Sequence, residues 1–205
     1  MKIYDVEGFP NPARVRIALA EKNIADKVEF VAVDVMNGEH RTPAFLEKNP
    51  SAAVPVLELE NGATISECTA ITEYIDNKFD GISLTGKTPE QKASIHMMNR
   101  KAEAKLLDAV GGYFHHATDG LGPKLETNQN KAWGLSQKEV ALEGMNYFNE
   151  VLGKQKFVAG NEFSMADITV FAGLAFADFA KVEISENLTN LQQWRKDFAS
   201  RPSLA

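Results

Sequence analysis

The sequence predicts an α/β domain followed by an all-α domain. Strand and helix patterns alternate over the first eighty residues, while no convincing strand pattern follows Thr88. A polar segment, "DGISLTGKTPE", lies between these two regions and has the composition of a connecting loop. We therefore place the first domain at residues 1–80, a linker at 81–87 and an all-helical domain at 88–205.

The first domain begins with a βαβ pattern. Lys2 to Val6 is a short apolar strand, Pro12 to Lys22 has helical spacing, and Val28 to Val35 alternates with the period of two that is typical of strands. The stretch "VPVLELENGATISE" then predicts two strands joined by a turn at Asn61-Gly62, a strong hairpin signal. A helix from Cys68 to Lys78 completes this domain.

The second domain begins with a long helix. Thr88 is the expected N-cap, Pro89 occupies the first helical position and Gln91 completes a capping box. Apolar residues continue on one stripe as far as Tyr113, so one face of this helix is expected to be buried. The further predicted helices are Ser136 to Leu152, Ser164 to Lys181 and Leu188 to Ala199.

The composition indicates an ordinary globular protein. The 205 residues are 44% hydrophobic and 24% charged, and their net charge of −6 argues against nucleic acid as a partner. Cys68 is the single cysteine, so no internal disulfide can form. The early charges and Pro10 are unlike a signal peptide, and no apolar run has the length of a membrane span. We expect a cytoplasmic protein without a membrane partner.

Two motifs indicate a binding site for a peptide-like ligand. The pair Val54-Pro55 precedes a strand, where a cis peptide would turn the backbone N–H and C=O of Val54 outward for pairing with an extended ligand. An ordinary proline at a strand start is the alternative. Glu67 and Cys68 open a helix, whose N-terminal dipole favours an anion while the Glu67 carboxylate suits an ammonium. Taken alone, Glu67 also suits a simple helix-dipole role.

These pieces resemble the cytosolic glutathione transferases over essentially the whole chain. The resemblance includes "FSMADITV", where Ser164 and Asp167 match the family's buried capping box and Phe163 is positioned for a hydrophobic staple. The stretches "PARVRIALAEKN", "LTGKTP", "IHMMN" and "YFHHATDGLGP" are most similar to the atypical yeast glutathione transferase II type and its bacterial relatives. The resemblance implies a thioredoxin-like first domain, a helical bundle and a homodimer.

The resemblance also implies glutathione as co-substrate, a small hydrophobic electrophile as second substrate, and no metal. By position, Val54 would pair with the cysteinyl backbone of glutathione, Glu67 and Cys68 with its γ-glutamyl end, and His40 with its glycine carboxylate. Related proteins have a lysine just before the valine, where this chain has Ala53. A solvated loop is the alternative interpretation of the segment around His40.

The usual thiol-activating side chain of this family is missing. The positions that match the family's tyrosine, serine or cysteine are Phe9 and Pro10, and Tyr4 lies too early, in the first strand, where a packing role is expected. Lowering a thiol pKa from about 8.5 to about 6.5 needs roughly 2.7 kcal/mol. The N-terminus of the first helix supplies about 0.3–1 kcal/mol. The helix N-terminus alone is therefore insufficient, and a further donor to the sulfur is expected. Asn11 either caps the helix that starts at Pro12 or donates to the sulfur through its side chain. A backbone N–H near Asn11 or an ordered water is the alternative donor.

The long helix offers a residue that can hold such a water. Ala104, Asp108, Gly111 and His115 follow the spacing of one helical face, away from the apolar stripe. Our hypothesis is that His115, together with His116, binds a water that takes the proton from glutathione. A pair of histidines that simply favours the helix C-terminus is the alternative. The yeast-type proteins are expected to have a serine at the position of Gly111, which places a serine-assisted water in doubt here.

Conjugation of glutathione to electrophiles is the leading expectation. A glutathione-dependent peroxidase or isomerase would use the same activated thiol, and a non-catalytic glutathione-binding protein would also fit the missing hydroxyl. Disulfide exchange is disfavoured because Cys68, the sole thiol, is expected at the other end of the site. The candidate walls of the electrophile pocket, each also suited to the core, are Phe114, Leu121, Trp133 and Phe176.

Overall fold

The structure, a computed structural model, describes residues 1–204. These residues form two compact units, and the division between them lies after Thr85, within residues 81–87. The first unit contains a mixed sheet, and the described residues of the second form helices and loops with an isolated β-bridge between Phe157 and Gly160. The predicted combination of an α/β unit with an all-α unit is confirmed.

The first unit has a four-stranded sheet with the order β2-β1-β3-β4. Strand β1 pairs in parallel with β2, and β3 runs antiparallel to both β1 and β4. The predicted βαβ unit and the hairpin are therefore present. The strands and helices of this unit are β1 Lys2–Asp5, α1 Pro10–Glu21, β2 Glu29–Ala32, α2 Pro43–Leu46, β3 Val56–Glu58, β4 Thr64–Ser66 and α3 Cys68–Lys78.

Side chains alternate between the two faces of this sheet, as the strand period requires. Ile3 and Leu57 face one side and pack in a buried cluster with Val15 and Leu19 of α1 and with residues of α3. Tyr4 and Val56 belong to a second cluster on the other face, which also contains Val33 and Phe45. Both faces of the sheet are thus covered, and α1 and α3 lie side by side on the first.

Two details of the first unit differ from the sequence prediction. Helix α1 begins at Pro10 and has Phe9 as its N-cap, so the prediction that Asn11 caps a helix starting at Pro12 is wrong. Pro10 has the fixed φ of a first helical residue and lacks an N–H that would be unpaired there, so the helix starts two residues earlier than predicted. Strand β2 is shorter than predicted, because Asp34 caps a 3₁₀ turn at Val35–Asn37.

The second unit is built from helices with well-defined starts. The predicted capping box is confirmed: the N–H of Gln91 donates to Thr88 Oγ1 at 3.3 Å, and the N–H of Thr88 donates to Gln91 Oε1 at 3.2 Å. The helices are α4 Pro89–Ala102, α5 Asp108–Ala117, α6 Gly122–Leu125, α7 Lys131–Leu152, α8 Met165–Phe179 and α9 Thr189–Ala199. Helix α7 starts earlier than predicted because Asn130 caps it, accepting the N–H of Trp133.

A π-helical turn at Glu103–Leu107 separates α4 from α5. Glycines of the neighbouring helices adjoin this turn: a Cβ on Gly144 would overlap the Lys105 carbonyl oxygen, and one on Gly173 would lie 2.8 Å from Leu106. A π turn holds about one more residue than an α turn, so the helix beyond it is rotated relative to the helix before it. The sequence analysis assumed one uninterrupted α-helix from Thr88 through His115, and this assumption is wrong at the π turn.

Helix α8 starts with a fully buried carboxylate. The backbone N–H and the hydroxyl of Ser164 donate to Asp167 Oδ2 at 3.0 and 3.1 Å, and the N–H of Val158 donates to Asp167 Oδ1 at 2.9 Å. The predicted pairing of Ser164 with Asp167 is present. Phe163 is buried against Phe157 and Phe198. Burial raises the pKa of Asp167 to about 7, against the opposing effect of its hydrogen bonds.

Candidate active site

The topology of the first unit brings most of the predicted site residues to one end of its sheet. Strands β1 and β4 end there and β3 begins there, because Tyr4, Val56 and Ser66 stand in register. Strand β1 leads to Asn11, Val54 lies just before β3, and Glu67 directly follows β4. Strand β2 is parallel to β1, so the segment that leads to His40 leaves from the same end.

The first turn of α1 has a single residue with free donors. Pro10 and Pro12 lack backbone N–H groups, and the N–H of Ala13 donates to the Phe9 carbonyl at 2.9 Å. Within residues 1–204, no acceptor lies on the N–H of Asn11 or on its side-chain Nδ2. Asn11 is solvent-exposed. The two prolines therefore concentrate the donor capacity of this helix end on Asn11.

Both oxygen atoms of Asn11, the side-chain Oδ1 and the backbone carbonyl oxygen, have partners within the first unit. Nη1 of Arg14 donates to Asn11 Oδ1 at 3.1 Å, and the Cys68 thiol lies 3.3 Å from the Asn11 carbonyl oxygen and 3.7 Å from Oδ1. The prediction that Cys68 lies at the other end of the site is wrong, because the starts of α1 and α3 adjoin on one face of the sheet. Cys68 is only 6% exposed, and a thiol that donates a hydrogen bond is protonated and a poor nucleophile.

Tyr4 is not available to a thiol. Its hydroxyl donates to Glu58 Oε2 at 2.8 Å, and Lys48 contacts the same oxygen at 2.7 Å. The ring packs on the cluster of Val33, Phe45 and Val56 described above. The predicted packing role of Tyr4 is confirmed.

The Val54-Pro55 peptide is cis, as the sequence predicts. Pro55 is buried, and in the described part of the chain the backbone N–H and C=O of Val54 form no hydrogen bond. Sequence reasoning missed Asn49, which organises the preceding turn: its Nδ2 donates to the Ala53 carbonyl at 2.8 Å and its Oδ1 accepts the N–H of Ser51. The "NP" pair at residues 49–50 is the signal that could have indicated this turn.

Glu67 adopts a strained backbone conformation at the start of α3. Its φ of 71° and ψ of 121° are unusual for a residue with a side chain. Such conformations cost of the order of 1–3 kcal/mol and cluster at ligand sites. The Glu67 carboxylate is exposed and has no partner among residues 1–204. Its backbone carbonyl caps the helix by accepting the N–H of Ile71.

His40 is buried in the loop after β2. It is 7% exposed, and its Nδ1 has no hydrogen-bond partner within the described chain. Burial lowers the pKa of His40, and the charge of Arg41 lowers it further. The ring is therefore neutral at pH 7 and offers a hydrogen bond rather than a full charge. A buried polar atom of this kind costs about 1–3 kcal/mol while it lacks a partner.

In the second unit, His115 and His116 differ in what they can do. Nδ1 of His116 accepts the N–H of Asn130 at 3.1 Å, and its ring meets the Trp133 ring edge-on. The ring nitrogens of His115 make no hydrogen bond within residues 1–204. Burial lowers the pKa of His115, an effect that Glu126 opposes. Of the two histidines, His115 is thus the one whose ring nitrogens have no hydrogen-bond partner within residues 1–204.

The four candidate walls of an electrophile pocket have different environments. Phe114 is buried and packs edge-on against Phe176, so it belongs to the core of the second unit. Leu121 is half-buried, and Trp133 is 45% exposed beside His116. Trp133 is thus the candidate with the most accessible apolar surface.

The fold and the arrangement of the first unit define a glutathione S-transferase. Residues 10–78 match the family model of the glutathione S-transferase N-terminal domain, and residues 113–202 match that of the C-terminal domain. The chain belongs to this family, and it is a transferase whose co-substrate is glutathione. The predicted family, fold and enzyme class are therefore confirmed.

The chain is similar to glutathione S-transferase 2 of Saccharomyces cerevisiae, with 56% identity over 204 residues that cover 100% of this chain and 88% of the relative. A crystal structure of Gtt2 from the same yeast has a TM-score of 0.96 and 56% identity, covering 100% of this chain and 98% of that one. A glutathione S-transferase domain-containing protein from Marinobacter aquaeolei has a TM-score of 0.98 and 61% identity over the whole of both chains.

The structure adds two negative findings that apply to residues 1–204. No helix there is long and apolar enough to cross a membrane. No group of three or more histidine, cysteine, aspartate or glutamate side chains there is arranged to hold a metal ion.

Proposed function

We propose that the protein conjugates reduced glutathione to small hydrophobic electrophiles and activates the thiol without a tyrosine, serine or cysteine side chain. In this proposal residues 1–80 bind glutathione, residues 81–87 link the domains, and residues 88–205 contribute the electrophile pocket. The thiol loses its proton to a water, and the resulting thiolate sulfur forms the new bond to carbon of the electrophile. In a substitution the bond from that carbon to the leaving group breaks and the group departs as an anion, and in an addition the π bond of the acceptor breaks and the neighbouring carbon takes a proton from water. The thiolate is stabilised by the start of α1 and by donors on Asn11.

The observation that carries this proposal is the pair of free donors on Asn11. A thiolate at the start of α1 gains about 0.3–1 kcal/mol from the helix dipole. A hydrogen bond to a charged group contributes about 1.5–3 kcal/mol. The backbone N–H and Nδ2 of Asn11 together with the dipole therefore reach the roughly 2.7 kcal/mol that lowers a thiol pKa by two units. No hydroxyl is required.

Other residues of the first unit match the remaining functional groups of glutathione. The N–H and C=O of Val54, which have no hydrogen-bond partner within residues 1–204, suit the cysteinyl backbone. The Glu67 carboxylate suits the ammonium of the γ-glutamyl end, and the backbone N–H of Cys68 at the start of α3 suits its carboxylate. His40 is assigned to the glycine carboxylate as the family resemblance implies, and its buried Nδ1 has no partner within residues 1–204.

The proton acceptor is assigned to a water on His115. Free ring nitrogens and a lowered pKa make this histidine an acceptor at neutral pH. His116 does not share this role in the proposal, since its Nδ1 is occupied by Asn130. The proposal also includes a homodimer and a cytoplasmic location, as the family resemblance implies. A sizing measurement that gives 22.6 kDa, the mass of one chain, would remove the dimer.

The mechanism is tested by titrating the thiol of enzyme-bound glutathione by ultraviolet absorbance. We expect Asn11→Ala and His115→Ala each to slow conjugation, and only Asn11→Ala to raise the bound thiol pKa strongly. His96→Ala on the exposed surface of α4 is the control, with no expected change. Unchanged turnover in His115→Ala removes its role as a water holder. A panel of haloaromatic, peroxide and isomerisable substrates separates conjugation from peroxidase and isomerase activity.

A further inference from the structure

The Arg14 guanidinium determines which way the Asn11 carboxamide is oriented. An arginine guanidinium has only donors, so the Asn11 atom that faces Arg14 Nη1 at 3.1 Å must be the oxygen. The amide nitrogen Nδ2 then points away from Arg14. Because Asn11 is exposed and Nδ2 has no acceptor among residues 1–204, both of its hydrogens are available to a ligand.

Arg14 is itself unusual for a charged residue. It is only 6% exposed and lies on α1 three residues after Asn11, on the same side of the helix. Buried arginines are rare unless their donors are used, and one of these donors is used on Asn11. Arg14 is part of the rigid interior of the first unit, so the carboxamide it holds has little freedom to rotate.

Cys68 restrains the backbone of the same residue. Its thiol lies 3.3 Å from the Asn11 carbonyl oxygen, with the sulfur 3.7 Å from Oδ1. Asn11 is thus held on its two oxygens by groups from α1 and α3, while its two nitrogens are left free. This arrangement prepares a donor pair before any ligand binds, which reduces the entropy lost on binding.

We infer that Arg14 is a positioning residue that aims Nδ2 of Asn11 at the glutathione sulfur, with Cys68 as its structural partner. This inference rests on the proposed function and extends it. Nδ2 of Asn11 takes the place of the missing hydroxyl as a donor to sulfur, and Arg14 contributes indirectly by holding that donor in position. Arg14 does not touch the sulfur. It sets which end of the carboxamide faces the ligand, and without it the amide oxygen is free to turn toward the thiolate, where it would repel the charge.

A double-mutant cycle on the bound thiol pKa tests this inference. Asn11→Ala removes the donor and is expected to raise the pKa of bound glutathione by about one to two units, the equivalent of one hydrogen bond to a charged group. Arg14→Met is expected to raise it by a similar amount. The double variant is expected to show no further rise, because Arg14 acts only through Asn11.

Two further variants separate positioning from folding. Asn11→Asp keeps an oxygen for Arg14 and so is expected to preserve stability, yet it lacks the amide donor and is expected to raise the thiol pKa at least as much as Asn11→Ala. Arg16→Met is the matched control on the same helix: Arg16 binds Asp5 with two hydrogen bonds and does not contact Asn11. It is expected to lower stability without moving the thiol pKa.

The outcomes distinguish this inference from the function on which it rests. An unchanged bound thiol pKa in Arg14→Met, or shifts of Arg14→Met and Asn11→Ala that add, overturns the positioning role while conjugation stands. If Arg14→Met does not fold, Arg14→Lys replaces it, and a thiol pKa that stays low in Asn11→Asp overturns the inference by itself. Failure of the wild-type protein to bind glutathione, in contrast, overturns the proposed function.

Discussion

Replacement of Asp167 by alanine is expected to destabilise the second unit in a pH-dependent way. The carboxylate is fully buried and accepts the N–H groups of Val158 and Ser164 and the Ser164 hydroxyl. Its removal leaves two buried backbone donors without an acceptor, at about 1–3 kcal/mol each, and removes a helix cap. We expect a loss of about 4 kcal/mol in the free energy of unfolding at pH 5.

The pH dependence follows from the raised pKa of Asp167. In the unfolded chain this carboxyl titrates near 3.8, whereas in the folded protein burial raises its pKa to about 7. The folded state therefore holds a proton that the unfolded state has lost between these two values. The contribution of Asp167 to stability is largest at low pH and falls as pH rises, by about 2–3 kcal/mol between pH 5 and pH 8.

Urea denaturation of wild type and Asp167→Ala at both pH values measures this effect. The difference between the two proteins cancels the titration of groups they share, and we expect it to shrink from about 4 to about 1–2 kcal/mol between pH 5 and pH 8. Asp119→Ala, at an exposed position, is the control and is expected to change stability by less than about 0.5 kcal/mol. A difference that stays constant from pH 5 to pH 8 would show that Asp167 is ionised in the folded protein throughout this range, and the reasoning would fail.

Three other changes test separate parts of the structure. Lys22→Met leaves the Asp76 carboxylate buried without its cation, and urea denaturation should show a loss of about 3–5 kcal/mol; a smaller change contradicts the buried pair. Gly144→Ala places a Cβ against the Lys105 carbonyl and should lower the thermal midpoint, so an unchanged midpoint is evidence against the close packing at the π turn. His40→Ala should weaken glutathione binding about tenfold or more but leave γ-glutamylcysteine binding unchanged in calorimetry; equal losses would refute the glycine contact.

Local signals predicted the elements that depend only on neighbouring residues. The capping box at Thr88 and the hairpin at Asn61-Gly62 were predictable because each is specified within a few residues. The start of α1 was missed by two residues, since two prolines and an asparagine offer alternative caps and only tertiary packing chooses between them. The same packing placed Cys68 beside Asn11, a contact between residues 57 positions apart.

The π turn could not be predicted from the helix that contains it. It adjoins glycines of α7 and α8, so its location depends on residues far along the chain. The candidate site shows the same limit: sequence reasoning found Asn11, Val54, Glu67 and His40 as residue types, yet the roles of Arg14 and Asn49 depend on hydrogen bonds that only the folded chain reveals. Burial likewise decides that the His40 ring is neutral.

The most direct test of the proposed mechanism is the pKa of the glutathione thiol bound to the wild-type protein, measured by ultraviolet titration without an electrophile. Two donors on Asn11, at about 1.5–3 kcal/mol each, and about 0.3–1 kcal/mol from the dipole of α1 predict a bound thiol pKa of about 6 or lower, at least about two units below that of a free thiol. A bound thiol that still titrates near about 8.5 would contradict the claim that this helix start replaces the missing hydroxyl.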